Sequence, residues 1–301
     1  GAIGRSDLKW ESHTEFVTYS AFTPGLSDRA FDPSEAGVFP EDWLAAAPGK
    51  LLTSVLIRVE FMPEDEAQVL DKLDEWFVPE SLAVARVVDG AAIVAGDFRI
   101  DPAGHMRFVV FVRQGTGARR IGRIVQRLCE IETYRAMSML GLMRARDLGS
   151  KLNALDPRLS ALVSGLDRTN RPAEAALHEL LNISAELESL AVRVSFRFGA
   201  TGAYEAIVNQ RIEALREVRL QGRQTFGEFM MRRYDPAMRT VKSAETRLRN
   251  LAERATRAAE LLRTRVDVER SAQNQQLLES MDRRADLALR LQHTVEGLSV
   301  V

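Results

Sequence analysis

Between Pro236 and Gly297 the chain runs for 60 residues without a glycine or a proline. As one helix this stretch spans about 90 Å at 1.5 Å per residue. Asp235-Pro236 opens it with proline at the favoured first helical position. A helix this long cannot bury itself in a small domain of its own. It must pack on a hairpin partner, on other subunits, or run towards a membrane. Val241, Ala244, Leu248, Leu251, Ala255, Ala258 and Leu262 step by three and four, the spacing of a coiled-coil stripe, so Val241, Leu248, Leu251 and Leu262 are the expected packing residues. Beyond Val268 the stripe turns polar at Ser271, Asn274, Gln275 and Gln276, and then Leu277, Leu278 and Met281 resume it.

The residues ahead of this helix read differently. Residues 1–49 are rich in Pro, Gly and aromatics, with one short strand-like run, Glu15–Ser20. Leu51–Phe61 reads as a strand and Pro63–Trp76 as an acidic amphipathic helix. Leu82–Val88, Ala91–Ile100 and Met106–Gln114 form a strand triplet, with turns at Asp89-Gly90 and at Asp101–Gly104. After Gly117 the pattern is helical: one helix over Arg119–Arg146, another opening at Asp156-Pro157, and a third from Arg171-Pro172 to about Leu190. Ala191–Phe198 alternates apolar and polar residues and predicts a strand returning to the sheet, followed by a helix over Thr201–Arg233. The expected fold class is therefore α+β, a mixed sheet with an antiparallel component followed by very long helices. The expected divisions are an α/β domain over 1–117, helices with one strand over 118–199, and a helical hairpin or stalk over 200–301.

Composition narrows the classes of function. With 46% hydrophobic and 28% charged residues the chain can bury a core, and a single cysteine, Cys129, excludes an internal disulfide and fits a reducing compartment. Residues 1–100 hold 18 Asp/Glu against 8 Lys/Arg, whereas residues 211–290 hold 12 against 18. The arginines of that basic stretch alternate with glutamates at helical spacing, and no stacking aromatics accompany them. That pattern fits a solvated, ion-paired helix, and no nucleic-acid partner is expected.

Chemistry-bearing candidates are few. Gly117-Ala-Arg-Arg-Ile-Gly122 has the glycine spacing of a phosphate loop between a strand and a helix, but Arg123 and Ile124 stand where lysine and a hydroxyl belong. The plain reading is a strand-to-helix turn; the anion reading rests on Gly117, Arg119, Arg120 and Arg123. The acidic run Glu64-Asp65-Glu66 with Asp71, Asp74 and Glu75 is the densest carboxylate group. Most such runs are solvated helix faces; a weak magnesium or other divalent-cation sensor there would use Glu64, Asp65, Asp71 and Asp74. No other cofactor is expected. His13, His105, His178 and His293 have no ligand spacing, and His13 beside Glu15 fits domain capping better than a paired site. No nucleophile elbow, dinucleotide fingerprint or zinc-protease helix occurs, so the chain is not expected to be an enzyme.

The segments His13-Thr-Glu15-Phe16, Cys129–Arg135, Phe196–Tyr204, Gln224–Phe229, Leu261–Asp267 and Asn274–Val301 resemble a family of uncharacterised bacterial membrane-anchored proteins, a domain of unknown function. The resemblance covers nearly the whole chain, and its members end in a pair of membrane helices. It implies the cytoplasmic part of an inner-membrane protein, cut just before those helices. Arg283, Arg284 and Arg290 ahead of the apolar finish Leu298–Val301 are the flanks such a segment would have. More remotely, the layout is similar to the CorA type of divalent-cation channel and to related mitochondrial membrane proteins. The long helices are expected to mediate self-association, as those of a scaffold; the CorA-like layout implies, as the alternative, the regulatory domain and stalk of a channel or transporter.

Overall fold

The computed structural model describes residues 2–165 and 172–298. It divides into two compact units, each drawn from separate stretches of chain. The first is Gly1–Met143 with Arg197–Val241, and the second is Arg144–Phe196 with Lys242–Val301.

In the first unit, β1 (Ala2–Ile3), β2 (Ser6–Ser12) and β3 (Val17–Phe22) form an antiparallel three-stranded sheet. Sequence patterning suggests a single strand here. Almost every side chain of β2 and β3 is at least partly exposed, so neither carries the apolar alternation that marks a half-buried strand. A five-stranded mixed sheet follows, with order β4 (Val55–Phe61), β7 (Met106–Val112), β6 (Ala92–Ile100), β5 (Ala83–Val87) and β8 (Val218–Arg219). Only the β4–β7 pair is parallel. Short helix α1 (Glu41–Ala45) precedes β4, and α2 (Glu66–Trp76) crosses from β4 to β5.

The near-continuous apolar run of β7 has a simple cause: this sheet is covered on both faces. Phe108, Val110 and Val112 pack with Ile124, Leu128 and Ile131 of α3 (Ala118–Ser164), Val208 and Leu215 of α4 (Ala173–Leu215), and Phe226 and Met230 of α5 (Phe226–Arg233). On the opposite face Val109 and Phe111 meet Val69 and Leu73 of α2, with Phe77 and Phe31. Each such side chain, fully buried, contributes about 1.5–3 kcal/mol. Val87 pairs with Ala92 around a four-residue turn in which Val88, Asp89 and Gly90 have φ of 51°, 58° and 76°. Only glycine adopts that left-handed region without strain, so the turn is held by its surroundings.

The second unit is a three-helix bundle built on three matching stripes. In α3 the buried residues are Ala145, Leu148, Leu152, Leu155, Leu159 and Leu162; in α4 they are Ala173, Ala176, Leu180, Ile183, Leu187, Leu190 and Val194. In α6 (Asp235–Leu298) the stripe is Leu248, Leu251, Ala255, Ala258, Leu262 and Val266, with Ala259 buried beside it. All three alternate steps of three and four, the last with a closing step of four, so each helix presents one seam to the others. Asp156 accepts from Arg254 at 2.9 Å and from Arg247 at 3.4 Å, Arg158 faces Glu186 at 3.8 Å, and Arg270 donates to Glu174 at 2.8 Å.

Three helical expectations need correction. Pro157 does not open a new helix, because it sits inside the continuous 47-residue α3. The leucine stripe continues on both sides of it, and that packing outweighs the single backbone hydrogen bond proline removes. Ala191–Phe198 is not a returning strand but part of the 43-residue α4. Val194 and Phe198 continue the buried stripe, while Val192 and Phe196 are 68% and 63% exposed, so the apparent alternation comes from apolar residues on the outer face. The helix expected over Thr201–Arg233 ends at Leu215 and gives way to β8, the sheet's fifth strand, and then α5. Thr225 and Glu228 form a reciprocal capping box at the start of α5, and Glu217 accepts from the amides of Phe226 and Gly227 at 2.9 Å each. The helix expected to open at Arg171-Pro172 is α4, which begins at Ala173, although Arg171 itself, like 299–301 of the apolar finish expected over Leu298–Val301, lies outside the described residues.

Candidate functional site

Arg120, Arg123 and Arg127 recur at steps of three and four from the first turn of α3, so all three lie on one helix face. Near the C-terminal end of α4, Gln210, Glu213 and Ala214 share a face in the same way, and Arg216 follows in the left-handed conformation, with φ 50°. These residues and Val88 line an open concavity of about 530 Å³ within the first unit. Asp89, at the tip of the β5–β6 turn, pairs with Arg216 at 2.7 Å and Arg120 at 3.7 Å. The amide of Val88 donates to the carbonyl of Leu215 at 2.8 Å, tying that turn to the end of α4. Four guanidinium groups thus face one lining carboxylate, Glu213, and one at the edge, Asp89. The side chain of Arg123 has no hydrogen bond or carboxylate partner among the described residues. Partial burial, followed by the charges of Arg123, Arg211 and Arg216, pushes the pKa of Arg127 down.

Sequence reasoning placed Arg120 and Arg123 here but missed Arg127, Gln210 and Arg216. The first was legible as one further helical step; the other two come together only through the fold. Arg119 is exposed and does not line the concavity. Gly117 and Gly122 have open space where a Cβ would stand, so no neighbouring part of the chain demands glycine at either position.

The acidic candidates are not brought together. Asp65 caps α2 by accepting from the amide of Ala67 at 2.9 Å, and Asp74 pairs with Arg223 at 2.9 Å. Glu66 is held by Arg86. No group of three or more His, Cys, Asp or Glu suited to a metal ion, Glu64 and Asp71 included, occurs among the described residues. Glu15 is engaged by Arg197 at 2.5 Å and by the Tyr204 hydroxyl at 3.0 Å, and the ring of His13 stacks on Phe16 at 4.3 Å. Phe16 in turn lies edge-on to Tyr134 and Tyr204, at 6.0 and 6.3 Å, so this turn fastens the small sheet onto α3 and α4. Burial pushes the Cys129 thiol up to about 11 and the Tyr204 hydroxyl up to about 12, the latter helped by its hydrogen bond to Glu15. A thiol so placed is a poor nucleophile at neutral pH. Glu130 pairs with Arg211 of α4, and buried Glu132 accepts from Arg135 at 2.7 Å and Thr53 at 2.9 Å.

A second feature is the contrast between the two parts of α6. Val241, Leu248, Leu251 and Leu262 are buried within the chain, all at 5% exposure or less. By contrast, every residue from 270 to 291 of α6 is exposed. Within that stretch Asn274, Leu277, Met281, Arg284, Ala288 and Leu291 keep steps of three and four, and Leu277, Met281 and Leu291 are 62%, 59% and 65% exposed. Leu278, Leu287 and Leu289, off that line, are exposed as well, at 61%, 60% and 55%. No helix among the described residues is long and apolar enough to cross a membrane.

The fold is that of an α+β protein with a long-helix bundle and an arginine-lined concavity. The chain belongs to the family described as Protein of unknown function (DUF3422), whose model matches residues 1–301. No curated protein and no solved structure matches it.

Proposed function

We propose that this chain is the assembly portion of a membrane-anchored, non-enzymatic scaffold in which parallel copies associate through the exposed C-terminal part of α6. The observation that carries this reading is the uncovered heptad seam of Leu277, Met281 and Leu291. A second copy is the natural occupant, because a seam with this spacing is complementary to itself. Asn274 and Arg284 at seam positions fit that role, since polar residues there fix register at the expense of affinity. Anchoring, on the cytoplasmic side of a bacterial inner membrane, is supported by the resemblance of Asn274–Val301 to proteins that continue into membrane helices. Copies tethered to one membrane point the same way, hence the parallel arrangement.

The test is the absolute mass of the chain by light scattering across a concentration series. Association gives multiples of 33.6 kDa that rise with concentration. A mass fixed at that of one chain, at concentrations up to the millimolar range, rejects the reading. Repeating the series with magnesium and with chelator separates a scaffold, which is indifferent to metal, from a channel-type ring of about five copies that loosens without it.

A further inference from the structure

We propose that the concavity between α3 and the end of α4 is a binding site for a small, multiply charged phosphate compound, held by Arg123, Arg127, Arg120 and Arg216. The inference is independent of self-association. Its volume falls in the range of about 300–1,000 Å³ typical of small-molecule sites. Its lining is dominated by guanidinium groups, whose planar forks match phosphate oxygens two at a time. Val88 and Ala214 are its only lining residues with apolar side chains; every other lining side chain ends in a charged or amide group. Such a cluster of like charges is self-repelling when empty, and an anion relieves the repulsion.

Asp89 gives the site a built-in competitor. Its carboxylate, 60% exposed, partly neutralises Arg216 and Arg120 from a turn of three successive left-handed residues. A phosphate entering the concavity must share or displace that carboxylate. Removing its charge should therefore tighten binding.

The experiment is calorimetric titration of the chain with inorganic pyrophosphate at low ionic strength. Sedimentation with phosphatidylcholine vesicles, with and without phosphatidic acid, runs beside it. Wild type should bind saturably; Arg123→Gln with Arg127→Gln should weaken binding about tenfold or more, because each removes a charge-assisted contact. Arg119→Gln, on the same helix but outside the concavity, should stay within about twofold, and Asp89→Asn should tighten binding about threefold or more, as expected when a competing charge is lost. A response to pyrophosphate assigns a free phosphate compound. A response only to phosphatidic acid vesicles, abolished by the same pair, assigns a lipid headgroup. If neither probe binds, or Arg119→Gln weakens binding as much as the pair, the site does not exist. Should the double variant fail to fold, unchanged or weaker binding by Asp89→Asn overturns the proposal instead.

Discussion

The two parts of α6 carry the same kind of apolar spacing and meet opposite fates. From Leu248 to Val266 the stripe is buried against matching stripes of α3 and α4. From residue 270 to 291 the helix is exposed on all sides, although Leu277, Met281 and Leu291 keep the coiled-coil step. Where the two parts meet, Glu269 accepts from the amide of Ala173 and Arg270 donates to Glu174, both at the first turn of α4. Helical periodicity says which face of a helix wants cover. It does not say whether cover comes from the same chain or another one.

The largest expected effect falls on the buried part. Leu248→Asp with Leu251→Asp should remove more than about 5 kcal/mol, since truncating one buried leucine already costs about 2–5 kcal/mol. Circular dichroism should register the loss of the bundle helices well below the wild-type melting temperature. An unchanged melt would mean that these leucines do not form the seam of the second unit. The matching change in the exposed part, Leu277→Asp with Met281→Asp, should leave the melt of the isolated chain within about 0.5 kcal/mol, as exposed substitutions do. It should nevertheless abolish association in light scattering. A large drop in melting temperature at low concentration would show that the exposed seam already has an intrachain partner.

A smaller effect sharpens the comparison from the polar side. Hydrogen bonding by Arg254, then Arg247, holds the Asp156 carboxyl below its ordinary value of 3.8. With the folded pKa depressed, the stability Asp156 contributes is present above that ordinary value and is lost as pH falls through the lowered one. Asp156→Asn should cost less than about 1 kcal/mol at neutral pH, as for a half-exposed ion pair, and should flatten that part of the acid limb in a pH series of urea melts. A steeper acid limb in the variant would contradict the assignment.

Much of this was legible in the chain itself. Glycine- and proline-free stretches, helical steps and the Asp89-Gly90 turn located the core strands and the long helices, because the physics there is local. What failed was local evidence with two meanings. Ala191–Phe198 alternates like a strand because Val192 and Phe196 stand exposed on an otherwise ordinary helix. Pro157 carries a helix-opening signal that packing on both sides overrides. The break after Leu215 had a readable marker, the Thr225–Glu228 capping box, whereas β8 is two residues long and no pattern of that length is diagnostic. The arginine concavity was half legible: helical steps join Arg120, Arg123 and Arg127, but nothing in sequence brings Gln210 or Arg216 to them.

Cysteine cross-linking along the exposed part of α6 tests the central claim most directly. Met281→Cys places a thiol in the seam, and Glu279→Cys places one about 160° away around the helix, at 100° per residue. The native thiol, Cys129, is raised to about 11 by burial and contributes little background. Association of parallel copies through this seam predicts rapid covalent dimers from Met281→Cys, and few from Glu279→Cys, under mild oxidation. Equal yields at the two positions, or none at either, would contradict it.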